Sequence, residues 1–421
     1  MGSFSIPLSG LLASQEDLGI ISNNLANLNT TGFKGSSANF SDLVYEQLGT
    51  SGAGNPMQKG LGTSIGSTSI NFTQGSIQNT GVNTNVAIQG NGFLQVQNNG
   101  LTLYSRNGNL SVNSEGDLVA PDGSQVMGFA AVNGVVNPSG ATVPLQINPG
   151  QTSPAQATST VELNLNLDAS SSAGNTFSTP LSIYDSLGSS HVLTFNFTNN
   201  GGNSWDYTVT LPAADVTGSP APSGPVTVGS GTLQFSNTGV LTSPSTNPTL
   251  TLPAGYTMAD SAQTPSITWD LTDPASQTSM ITQVAGTSAT SSTKQNGFPA
   301  GTMESFTIQQ DGTIVGSFSN QQVTKLGQIA LATFSNEEGL LQTGSSNYVS
   351  TLASGLPSVG VAGTGGRGTL QAGALEGSNV DISTAFSNLI LAQQSYEANA
   401  RAFNIESGIF TQSTITLGIG Q

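Results

Sequence analysis

Cysteine is absent from all 421 residues and histidine occurs once, as His191. Without thiols the chain has neither a disulfide framework nor a thiolate-bound metal. Charged residues make up only 7% of the sequence, 23 acidic against 7 basic, and no Lys or Arg occurs between Arg106 and Lys294. A formal charge of −16 argues against a nucleic-acid partner, because phosphate contacts need clustered Lys and Arg. An anionic membrane surface is disfavoured on the same ground. No apolar run is long enough to cross a bilayer. Met1 to Gly10 shows neither a basic n-region nor a small-residue cleavage site, so a cleavable secretory signal is not expected, and an exported chain would travel by a route that reads an uncleaved end.

What the chain has in quantity is glycine, 52 residues, with only 35% apolar residues, a balance that describes short strands and many turns. The two ends differ from this background. Ile382, Leu389, Tyr396, Phe403, Phe410 and Leu417 recur at intervals of seven, as do Phe4, Leu11, Leu18 and Leu25, with Ile21 and Leu28 offset by three. So narrow a stripe suits a coiled-coil seam, whereas a helix packed on a globular core shows a broader apolar face. The expected fold is mainly β with α-helical coiled-coil termini, the two ends pairing with each other.

Turn chemistry divides the middle. Thr30, Thr31 and Gly32 close the first helix, and Ser378 followed by Asp381 reads as a capping-box-like start before Ile382. Alternating runs such as Phe93 to Val96 and Leu101 to Tyr104 are bounded by Asn-Gly pairs at Asn91, Asn99 and Asn107, a hairpin signal. The nested plan predicted is a terminal helical domain (1–32 and 378–421), an extended connector with little core (33–75 and 363–377), a discontinuous inner β domain (76–155 and 295–362), and an inserted, acidic outer β domain (156–294). Gly60, Gly62 and Gly66 in the connector are candidate hinge positions.

Catalytic chemistry is sparse. His191 has Ser189, Ser190 and Asp185 nearby in sequence, the ingredients of a triad, but a strand or loop histidine without a proton to move fits the context better. Gly363 to Gly368 matches G-x-G-x-x-G, yet a dinucleotide site needs a strand before it and a helix opening at its last glycine. Asp270 and Asp273 lack the spacing of a calcium loop. No catalytic, cofactor-binding or metal-ligating residue is assigned, and no enzyme activity is expected.

The run from Ser22 to Lys34, with Asn23, Asn24, Ala26, Asn27, Thr31, Gly32, Phe33 and Lys34, resembles the N-terminal signature of bacterial flagellar rod, hook and hook-associated proteins. Asn379, Val380 and Asp381, followed by Leu391 to Arg401 with Ala398 and Asn399, resemble its C-terminal counterpart. Ile183 to His191, and Gln310 to Gly316 with Gly327 to Asn336, are similar to the insert and returning segment of the hook branch of that family. The resemblance implies a structural subunit of the flagellar hook, polymerising into the curved flexible tube that joins motor to filament. It implies as partners further copies of the same chain, the distal rod protein, the hook cap, the hook-filament junction protein and the flagellar type III export apparatus, at an extracellular site in the flagellum. The assembly seam would be Leu11, Leu18, Ile21, Leu25, Leu28, Ile382, Leu389, Tyr396, Phe403 and Phe410. The alternatives are a distal-rod type axial protein, an extracellular adhesin or fibre protein, which would explain the middle but not the matching ends, and a β-helical polysaccharide lyase or hydrolase, for which no strand repeat is visible.

Overall fold

The computed structural model describes residues 5–418, except 149, 274, 275 and 277; side chains at 410, 411 and 413–418 also lie outside the description. Phe4 and the side chains of the predicted stripe positions Phe410 and Leu417 therefore fall outside the described residues. The chain is mainly β, with a long helix near each end, α1 (Ser5–Ala26) and α2 (Ile382–Gly418). It divides into two compact units. One holds residues 1–149, 305–316 and 323–421, the other residues 150–304 and 317–322.

In the first unit the outgoing and returning chains pair with each other. Strand Ile77–Asn79 is antiparallel to Ala374–Glu376, and Val86–Gln89 is antiparallel to Thr369–Ala372. Beyond them a sheet is centred on Phe93–Asn98, which pairs with Leu101–Ser105, Gln125–Val132 and Val323–Thr333. Asn99 (φ 49°) and Gly100 (φ 82°) form the two-residue turn of its first hairpin, the double left-handed step that matches strand twist. The other two Asn-Gly pairs do not make hairpins. At Gly108 a side chain would collide with the Val86 carbonyl, so glycine there serves a close backbone approach. Phe93, Tyr104 and Tyr348 pack edge to face with Phe72 and Phe334 as this sheet's aromatic core.

Residues 36–70 are more ordered than an extended connector. Strand Ser36–Asp42 pairs antiparallel with Thr63–Ile70, and within that loop Tyr45–Thr50 pairs with Pro56–Gly60. Most of their side chains are exposed, so backbone hydrogen bonding rather than a core holds the arm, and composition gave no hint of the pairing.

The second unit is built of two sheets. Thr160–Asp168 lies parallel to Ser266–Asp270 and Ile281–Val284 and antiparallel to Ala289–Gln295. The other sheet is an antiparallel meander through Thr176–Tyr184, Ser190–Gly201, Ser204–Leu211 and Val226–Phe235. Alternation decides which face is inward: Leu163, Leu165 and Leu167 of one sheet join Leu193, Phe195 and Phe197 of the other in a single core. Both tryptophans of the chain belong to it, with the Trp269 ring 5.0 Å from Phe195.

Candidate assembly site

α1 and α2 lie against each other along small residues. Gly10, Ala13, Ser14 and Ile21 are buried on α1, and Ala385 and Ala392, seven apart, are buried on α2. A side chain at Gly10 would meet the Asn399 carboxamide at 2.8–2.9 Å, so this glycine, which weakens α1 in isolation, is what admits α2. Beside the contact line runs an open groove of about 420 Å³, lined in part by Asp17, Ile21, Asn388 and Leu391.

Of the predicted seam positions, Ile21 is buried, while Leu11, Leu18, Leu25, Leu28, Leu389, Tyr396 and Phe403 are half-buried and Ile382 is exposed. Larger apolar side chains face solvent on both helices: Leu8 and Leu12 on α1, Phe386, Ile390, Leu391, Ile405 and Ile409 on α2. The alanine and glycine positions went unnoticed in the sequence because large apolar residues dominate a hydrophobic pattern. The seven-residue recurrence of Ala385, Ala392 and Asn399 was the available signal.

The two signatures meet where the helices join the β structure. Asn24 pairs its carboxamide with the backbone of Ser36, accepting its N–H at 2.9 Å and donating to its carbonyl at 2.6 Å. Asn379 accepts the Gly35 N–H at 2.9 Å and donates to the carbonyls of Asn71 and Thr73. Val380 packs against Gly35, where an added Cβ would lie 3.1 Å from its methyl. Gly32 (φ 68°) presses on the backbone of Arg106 and donates its N–H to the Glu376 carbonyl. Asn27 accepts from the Thr30 hydroxyl, Asn23 takes the Asn27 amide on its carbonyl, and the Thr31 carbonyl accepts from Ser346. Ala26 and Ala398 are exposed.

Beneath this network sits a buried charge cluster. Lys34 Nζ is 2.7 Å from Glu376 Oε1 and donates to the Thr73 carbonyl, while the Gly75 N–H donates to the same carboxylate oxygen. Arg106 Nη1 approaches Glu376 Oε2 at 3.4 Å, with its guanidinium over the Phe93 ring. Burial pushes the Lys34 ammonium below its ordinary range, against the pull of Glu376. Burial also drives the Tyr348 phenol upward. Asp381, rather than Ser378, caps α2: its Oδ1 accepts the Thr384 N–H at 2.8 Å, and this bond holds its carboxyl below the usual range.

The candidate hinge glycines have distinct settings. Gly60 ends its strand where an added Cβ would lie 3.5 Å from the Tyr45 ring, Gly66 lies in a strand where one would meet the Ser41 hydroxyl at 2.9 Å, and Gly62 (φ 118°) is seated on α1 against Ser9. Gly363 to Gly368 is a turn leading into strand Thr369–Ala372 instead of a helix, which removes the dinucleotide motif. Among the described residues no hydroxyl is hydrogen-bonded to the His191 ring, whose nitrogens face carboxylates.

Comparison with known families covers most of the chain. Residues 6–34 match the flagella basal body rod protein model, 87–161 the flagellar hook protein FlgE/F/G D1 domain, 156–298 the flagellar basal body protein FlaE D2 domain, and 371–412 the flagellar basal body rod FlgEFG protein C-terminal region. The class these define is a bacterial flagellar axial protein. Flagellar hook proteins FlgE of Treponema pallidum (35% identical, 95% of this chain and 96% of the relative) and of Salmonella typhimurium (34%, 97% and 98%) align over nearly their whole lengths. The crystal structure of Helicobacter pylori flagellar hook protein FlgE2 has a similar fold, with TM-score 0.51 and 14% identity over 71% of this chain and all of that one. The chain belongs to the flagellar hook protein FlgE family and is a structural subunit of the flagellar hook.

Proposed function

We propose that the chain polymerises through its two ends into the curved, flexible tube that passes motor torque to the filament as a universal joint. The observation that carries this reading is the row of large apolar side chains facing solvent on α1 and α2, Leu8, Leu12, Phe386, Ile390, Leu391, Ile405 and Ile409. These side chains are already about half covered, so burying the rest of each beneath a neighbouring copy contributes roughly 1 kcal/mol, and the sum over all of them helps offset the ordering of the helices on assembly. In this reading the helices form the coiled-coil inner tube, the seam and signature residues order within it, and the nested β domains stand outside with the acidic 156–294 segment farthest out. The arm around Gly60 and Gly66 lets these domains shift as each row of subunits shortens and lengthens, and Gly62 anchors it.

The absence of Lys and Arg from Asn107 to Thr293 suits an outer surface that stays free of its surroundings, in an extracellular polymer. The partners that follow are the distal rod protein below, the hook cap during growth, the hook-filament junction protein above, and the type III export apparatus that delivers the chain. Removing residues 382–421 should leave the second unit folded and abolish tubes in electron micrographs. Tubes formed by that truncation would overturn the proposal.

A further inference from the structure

The only imidazole of the chain stands among three carboxylates in the second unit. Asp185 lies in the turn between strands Thr176–Tyr184 and Ser190–Gly201, His191 opens the second of these, Asp215 ends a short turn of helix, and Asp260 follows strand Tyr256–Met258. His191 Nε2 is 3.1 Å from Asp185 Oδ2 and 3.9 Å from Asp260 Oδ2, and Nδ1 is 3.2 Å from Asp215 Oδ2. One ligand atom each from Asp185, His191 and Asp260 lies within 4.8 Å of the others. His191 and Asp185 are more than nine-tenths buried.

Two features go beyond an acidic cluster. Asp185 Oδ1 is fixed by the N–H groups of Leu187 and Ser189, both at 2.8 Å, which turns Oδ2 toward the ring. The buried Nδ1 makes no hydrogen bond of adequate direction despite its nearness to Asp215. Three carboxylates around one imidazole also carry more negative charge than the ring neutralises, and no Lys or Arg lies between Arg106 and Lys294 in sequence. Ligands at zinc bond lengths on a tetrahedron stand about 3.3 Å apart, a spacing the two Nε2 distances bracket.

We propose that Asp185, His191 and Asp260 bind a divalent transition-metal ion of the zinc type through Nε2 and one oxygen of each carboxylate, with water completing the coordination. Asp215 is the positioning residue: a metal on Nε2 leaves the proton on Nδ1, and a turn of the Asp215 carboxylate, 3.2 Å away, completes the hydrogen bond that orients metal-bound histidines. An imidazole ligand argues against calcium or magnesium, which take oxygen. The ion ties the hairpin that carries Asp185 and His191 to the segment that carries Asp260.

A single histidine makes the test specific. The full chain, labelled with ¹⁵N only in histidine, gives one set of ring signals in dilute solution, and Zn²⁺ is added at constant pH. The expected result is saturation at one equivalent, with Nε2 shifted and Nδ1 keeping its proton. Asp260→Asn should weaken binding by about tenfold or more, and Asp215→Asn by about tenfold. Emission of Trp205 and Trp269 checks that each variant remains folded, and each variant tests the site independently should the other unfold. Ring signals unmoved by millimolar Zn²⁺, or equal binding in both folded variants, would overturn the proposal and leave an ion-paired histidine in its place.

Discussion

Lys34 and Glu376 stand 342 residues apart in sequence and 2.7 Å apart in the fold, both with fully buried side chains. One lies in the N-terminal signature and the other three residues before the C-terminal one, so a single ion pair fastens the start of the chain to its end. Glu376 also faces Arg106, which makes one carboxylate the counter-charge for two buried cations.

Glu376→Gln should therefore destabilise the first unit by about 3–5 kcal/mol, the range for breaking a buried pair by removing one partner. Urea unfolding followed by hydrogen exchange of strands Ile77–Asn79 and Ala374–Glu376 measures it. Both tryptophans lie in the second unit, so the emission midpoint should stay in place while exchange in the first unit accelerates.

Gly62→Ala should release the arm from α1. Its φ of 118° is strained for alanine, and the new methyl would collide with the Ser9 side chain, whose hydroxyl accepts the Thr63 N–H. A cost of about 1–3 kcal/mol is expected locally, seen as faster amide exchange in Thr63–Ile70. Gly60→Ala, facing only ordinary contact with Tyr45, should change exchange far less.

Acid should fray the start of α2. The Asp381 carboxyl sits below its ordinary range because the Thr384 N–H bonds its ionised form. A depressed folded value means the stabilisation is complete above the ordinary carboxylate range and is lost as pH falls through the lowered value. Exchange at Thr384 and Ala385 should rise on acidification, after allowance for intrinsic chemistry. Asp381→Asn should keep the cap and abolish that additional rise.

The parts of this fold legible in sequence are those written locally. Asn99-Gly100 between alternating runs specified its hairpin, Leu163 to Leu167 declared a period-two inward face, and the seven-residue recurrences marked both helices. The contacts that join the ends were not legible, because no pattern links Lys34 to Glu376 or Asn379 to Gly35 across the intervening chain. Gly10 and Ala392 read as neutral or unfavourable when their function is to let another helix approach. Asp381 displaced Ser378 as the cap because it directly precedes the first helical turn. The strand pairing between residues 36 and 70 was hidden because exposed polar ladders leave no hydrophobic signature.

The proposed polymer requires that the large apolar side chains on α1 and α2, which face solvent in one chain, be covered by other copies. Replacing Phe386, Ile390 and Ile405 together by Ser separates the two states, since all three are exposed in the single chain. Electron microscopy of concentrated protein, paired with unfolding of the dilute chain, is the direct measurement. The expected result is a small change in dilute stability, within about 0.5 kcal/mol per site as for other exposed positions, and no tubes. Normal curved tubes from this variant would contradict it.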